Sequence, residues 1–98
     1  MTPVLFHSKA LAELDEVVLY LNQQQPDLGD EFLDSVEQSI DIIARFPDTW
    51  PCVRKDLRRI LVPRFHYSIF YRLTRHDTIE IIAVMHPKRR PFNFRDRL

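Results

Sequence analysis

The chain has 98 residues, 45% hydrophobic and 11% aromatic, with 14 Lys+Arg balanced by 14 Asp+Glu, four His, one Cys and one Gly. That length holds one domain, 1–98, and the apolar content excludes low-complexity disorder. A single cysteine, Cys52, rules out an internal disulfide and leaves no thiolate set for zinc, and no run of about 18 apolar residues is available to span a membrane. In chain order, Val4-Leu5-Phe6 reads as a short first strand. Ser8 stands where a helix N-cap is expected, ahead of Leu11, Leu14, Val18 and Leu21, whose spacings of three and four place one apolar stripe on a helix over about residues 9–24. Pro26 ends that helix, because its ring fixes φ and pushes the preceding residue out of the α region. Asp27 is positioned to cap a second helix, with Asp30 and Glu31 in its first turn and Phe32, Val36, Ile40 and Ile43 as its stripe, until Pro47. The short connection predicts an antiparallel helical hairpin.

After Pro47 the period changes. Residues 47–51 read as a loop whose Trp50 folds onto the core, and Leu57–Val62 is an apolar and basic strand. Phe65, Tyr67, Ile69, Tyr71 and Leu73 alternate as a strand of period two. Arg75-His76-Asp77 makes a turn without glycine, and Thr78–Met85 is a strand rich in β-branched residues. Residues 87–98 are basic and broken by proline, and read as a C-terminal tail. The order β-α-α-β-β-β predicts an α+β fold, an antiparallel sheet with the N-terminal helical hairpin packed on one face.

The zero net charge conceals a division. Residues 1–44 hold one base and nine acids, whereas residues 45–98 hold 13 bases and five acids. Either the halves neutralise each other within the fold, or the basic half faces a partner. Several chemistries are excluded by supply: Gly29 as the sole glycine leaves no phosphate-cradling loop, and no histidine is paired with Cys or Glu at metal-ligand spacing. No cofactor or metal is expected. What remains is guanidinium, suited to bidentate contact with phosphate or carboxylate, with Phe92 and Phe94 interleaved. His86 ends the last strand beside Arg89 and Arg90, where an imidazole can serve as a general acid/base or simply bond to backbone.

These residues carry a resemblance. The block 57–71, LRRILVPRFHYSIFY, resembles the centre of the RelE/ParE superfamily of toxins, in which an arginine pair leads through a Phe-Pro-Tyr turn into an aromatic strand. Residues 81–91, IIAVMHPKRRP, are similar to its last strand and His-x-x-Arg-Arg-x-Pro end, and Ala12-Glu13-Leu14, Tyr20, Pro26, Phe32, Ile40 and Phe46-Pro47 match the N-terminal half in order. His66 departs from the usual proline, and Phe94 stands where a Trp or Tyr is common, so it can stack but has no hydroxyl to transfer a proton.

The resemblance implies the toxin of a type II toxin–antitoxin pair, cytoplasmic, without a membrane partner and held in a hetero-oligomer with its antitoxin. Two targets are open. A ParE-like toxin inhibits DNA gyrase without catalysis; a RelE-like one is a metal-independent endoribonuclease that cuts mRNA on the ribosome, for which His86, Arg59 and Arg89 are the catalytic candidates. Target or antitoxin contact is carried over to Arg58, Arg59, Arg72, Arg89, Arg90, Phe94 and Arg95. Two long helices, an acidic half that rRNA phosphates would repel, and the missing hydroxyl at Phe94 favour the gyrase reading. A non-toxic RNA-binding module is the further alternative.

Overall fold

The computed structural model describes residues 2–86, 97 and 98; the calls on residues 87–96, including Arg89, Arg90, Phe94 and Arg95, lie outside the described residues. Within it, β1 (Val4–Phe6) leads into helices α1 (Ser8–Gln24) and α2 (Leu28–Arg45), followed by β2 (Cys52–Arg54), β3 (Leu57–Leu61), β4 (Ser68–Leu73) and β5 (Ile79–Met85). The strands form one sheet in the order β1-β5-β4-β3-β2. The expected α+β arrangement is present, with three refinements.

The first is that the sheet is mixed rather than wholly antiparallel. β1 runs parallel to β5, with Val4 opposite Ile79 and Phe6 opposite Ile81, while the other neighbouring pairs are antiparallel. The earliest and latest strands thus lie side by side. Pro3 accepts from the Ile79 amide at 2.8 Å and the Thr2 amide donates to Ala44 at 3.2 Å, so residues 2–3 join β5 to the end of α2. The second is the extra edge strand β2, whose three residues are all exposed and therefore carry no burial pattern to read.

The third refinement concerns the start of β4. Alternation placed it at Phe65, but residues 62–67 form a tight loop closed by the Val62 amide on the Tyr67 carbonyl (2.7 Å) and the His66 amide on the Val62 carbonyl (3.1 Å). Arg64 (φ 73°) and His66 (φ 62°) both lie in the left-handed region, which side chains other than Gly, Asn and Asp adopt at a cost. A proline ring could not adopt the φ of His66. Phe65 and Tyr67 keep their apolar contact: both rings meet Phe32 of α2 edge-on, at 5.2 and 5.1 Å.

The helix ends also differ from the pattern. His7, not Ser8, is the N-cap of α1, its Nδ1 accepting from the Lys9 amide at 3.1 Å. Asp27 occupies the cap position of α2 in a left-handed conformation without a side-chain cap bond. Asn22 of α1 does that work across the hairpin, its Oδ1 accepting from the Gly29 amide at 2.7 Å. Gly29 lies directly against α1, for a Cβ there would fall 2.1 Å from the Val18 carbonyl oxygen.

The core lies between hairpin and sheet. Ala10 and Leu14 of α1 and Phe32, Val36 and Ile43 of α2 meet Ile60, Ile69, Tyr71, Ile79, Ile81 and Val84, with Trp50 packed against them as expected. A bulge keeps this face apolar: Phe70 pairs with Ala83 but Tyr71 with Ile81, so Ile82 is the extra residue.

Candidate functional site

Strand alternation divides the adjacent pair Arg58-Arg59 between the two sides of the sheet. Arg58 shares its side with Ile60 and pairs in register with Tyr71. Its guanidinium reaches back to the loop after α2, donating to the carbonyls of Trp50 and Asp48 (3.3 Å for the latter), with the Asp48 carboxylate at 3.5 Å. The fully buried Tyr71 donates its hydroxyl to the Pro47 carbonyl at 3.0 Å. Burial pushes this phenol up to about 12, with the Arg58 charge pulling in the opposite direction. Arg58 and Tyr71 therefore fasten the α2–β2 loop.

Arg59 points the other way. It is exposed on the outer face, opposite Phe70, which is in turn opposite Ala83. Beside this row lie Leu61, Ser68 and Met85 on one flank, and the register pair Arg72–Glu80 on the other. Arg72 and Glu80 meet at 2.9 Å, both about a quarter exposed, so most of this arginine's charge is answered within the sheet. Exposure is graded across the face, from half-exposed Leu61 on β3 to buried Ala83 and Met85 on β5. A hollow of about 420 Å³ lined by Asp56, Arg72, Thr74, Arg75 and His76 opens at the β4 end. Among the described residues, no carboxylate pairs with Arg59, Arg54 or Arg75.

His86 lies elsewhere. Its ring meets Tyr67 edge-on at 5.2 Å, and Tyr67 contacts Phe32 of α2, so an aromatic series runs from the helix to the end of β5. Tyr67 also borders a hollow of about 310 Å³ with Glu16, Val17 and Tyr20 of α1. Burial raises the Tyr67 phenol, and the neighbouring Tyr20 adds to that rise. By its contacts, His86 belongs to the helix side of the sheet and Arg59 to the other.

Of the carried-over contact residues, the structure brings Arg59 and Arg72 to one face and commits Arg58 to a loop. Two charged residues that the sequence reading left in the background have defined places. Glu13 is buried and holds Arg97, and Arg64 of the β3–β4 loop pairs with Glu31 at 2.9 Å while lying 4.7 Å from the Phe65 ring centroid. The buried face of α1 is turned from the expected stripe: Ala10, Glu13 and Leu14 are buried whereas Leu11 is exposed, so Glu13 stands where a carboxylate needs a partner. Among the described residues, no group of three or more His, Cys, Asp or Glu is placed to hold a metal ion, and no helix is long and apolar enough to cross a membrane.

Three comparisons bear on this architecture. Residues 4–91 match the family model described as ParE toxin of type II toxin-antitoxin system, parDE. A protein of Sinorhizobium fredii named "Putative toxin Y4kP" is 30% identical over 79 residues, which cover 80% of each chain. The fold is similar to that of a solved structure titled "Chromosomal ParDE TA system from P. aeruginosa", with a TM-score of 0.76 over 88% of this chain and 96% of that one, at 16% identity.

Proposed function

The chain belongs to the ParE toxin family of type II toxin–antitoxin systems, and from that membership we propose that it arrests growth by binding DNA gyrase, without cutting a substrate of its own. The observation that carries the non-catalytic reading is the separation of His86 from Arg59. A ribonuclease needs an acid/base and a phosphate clamp converging on one scissile bond. Here the imidazole packs on Tyr67 on the helix side and the exposed guanidinium stands on the outer face.

The antitoxin is the second partner, in a hetero-oligomer within the cytoplasm. Its toxin-binding segment presents acids to the outer face around Arg59, since Arg58 and Arg72 are already engaged. Arg89, Arg90, Phe94 and Arg95 are proposed as further residues of target or antitoxin contact.

The test is a supercoiling assay with purified gyrase, run beside a translation mix containing a reporter mRNA. Inhibited supercoiling with intact mRNA is the expected outcome. Unchanged supercoiling together with ribosome-dependent cleavage would overturn the proposal in favour of the endoribonuclease. If induced expression leaves growth untouched, the non-toxic RNA-binding alternative is favoured.

A further inference from the structure

β1 ends at Phe6, opposite Ile81, and the His7 amide makes the last backbone bond on that side, to the Ile81 carbonyl at 2.9 Å. β5 continues to Met85. Over this extension its edge toward α1 offers the Ile82 carbonyl and the Val84 amide, buried groups that need partners. The Arg97 guanidinium donates to the Ile82 carbonyl at 3.1 Å, and the Glu13 carboxylate accepts from the Val84 amide at 3.1 Å. The two side chains also bind each other through both carboxylate oxygens, at 2.8 and 3.1 Å. Together they supply the edge with a donor and an acceptor, as a neighbouring peptide group would.

A buried ion pair is stabilising only when its remaining hydrogen-bonding capacity is met, because desolvation of both charges opposes the attraction. That condition is approached here: Arg97 is 9% and Glu13 8% exposed in their side chains, and each also bonds to β5 backbone. Arg97 is the penultimate residue, 84 positions from Glu13.

We propose that Glu13 and Arg97 form a clasp that completes the buried edge of β5 beyond Phe6 and ties residue 97 to helix α1. Removing either takes a side-chain partner from the Ile82 carbonyl or the Val84 amide without dissolving the core.

Carboxypeptidase Y digestion of the full-length purified chain tests this, followed by mass spectrometry of Arg97 release. Release from the native chain is expected to be at least about tenfold slower than from the same chain in urea, since the end must open before it can be cleaved. Glu13→Gln and Arg97→Lys, which each leave the pair incomplete, should remove most of that protection and speed exchange of the Val84 amide, while the amides of Tyr71 and Ile81 keep their exchange rates. Native release as fast as release in urea would overturn the clasp, and this comparison needs no variant to fold. Protection unchanged in both variants would overturn it as well.

Discussion

The acidic hairpin and the basic sheet use their charges differently. Of the nine acids in residues 1–44, Glu13 and Glu31 are tied across to Arg97 and Arg64, and Asp41 meets Arg45 at 3.2 Å one turn along α2. Asp15, Glu16, Asp27, Asp30, Asp34 and Glu37 make no ion pair among the described residues. In the sheet half, Arg58, Arg64, Arg72 and Arg97 each bind a carboxylate, and Arg58 and Arg97 also bind backbone carbonyls. The arginines thus act mainly as structural fasteners, whereas most of the acids act as a solvated face. Among the described residues three ion pairs join acids of the first half to arginines of the second, and Arg59, Arg54 and Arg75 meet no carboxylate.

This contrast can be broken from the core outward. The largest effect is expected where hairpin meets sheet through apolar contact alone: Phe32→Ala deletes a ring that touches Phe65 and Tyr67 and should cost about 3–5 kcal/mol in urea unfolding. A loss below that of an exposed substitution would mean the hairpin is not the scaffold. Next, Gly29→Ala forces a Cβ against Val18 and should cost about 1–3 kcal/mol, read as a lowered urea midpoint.

A smaller effect belongs to Tyr71→Phe, which removes the bond to Pro47 at about 1 kcal/mol. Its pH dependence has a definite sign. The folded phenol titrates near about 12 and the unfolded one near 10.0, so the unfolded state releases its proton first. Stability is therefore full below pH 10.0 and falls as pH rises toward 12. Urea melts on either side of that range should show a shallower alkaline decline in Tyr71→Phe.

The smallest stability effects compare a fastener with an outward arginine. Arg64→Ala breaks a half-exposed pair and should cost less than about 1 kcal/mol. Arg59→Ala should leave the melt within about 0.5 kcal/mol of the parent while lowering inhibition of gyrase. Equal inhibition by the parent and Arg59→Ala would remove Arg59 from the contact surface.

Periodicity made the hairpin, its two proline stops and the strands after residue 57 legible, because a buried stripe leaves a repeat of 3.6 or 2. It extended β4 back to Phe65 because Phe65 and Tyr67 are apolar for the sake of Phe32, although their backbone turns. It passed over β2, whose residues bury nothing. The division of Arg58 from Arg59 follows from strand geometry, but only three-dimensional placement reveals that Arg58 is occupied by a loop. The same holds for His86, whose aromatic neighbour comes from another strand connection, and for Glu13 and Arg97, whose partnership spans nearly the whole chain.

The parallel pairing of β1 with β5 has a consequence for synthesis. Val4–Phe6 leave the ribosome well before their hydrogen-bonding partners, which begin at Ile79. The nascent chain can form its hairpin from local contacts, whereas this strand has to wait for the distal end, and such long-range pairing forms late. A translation product that stops before Ile79 has helices and an unmatched leading strand, but no finished sheet. Closure of this edge of the sheet therefore waits on the synthesis of residues 79–81.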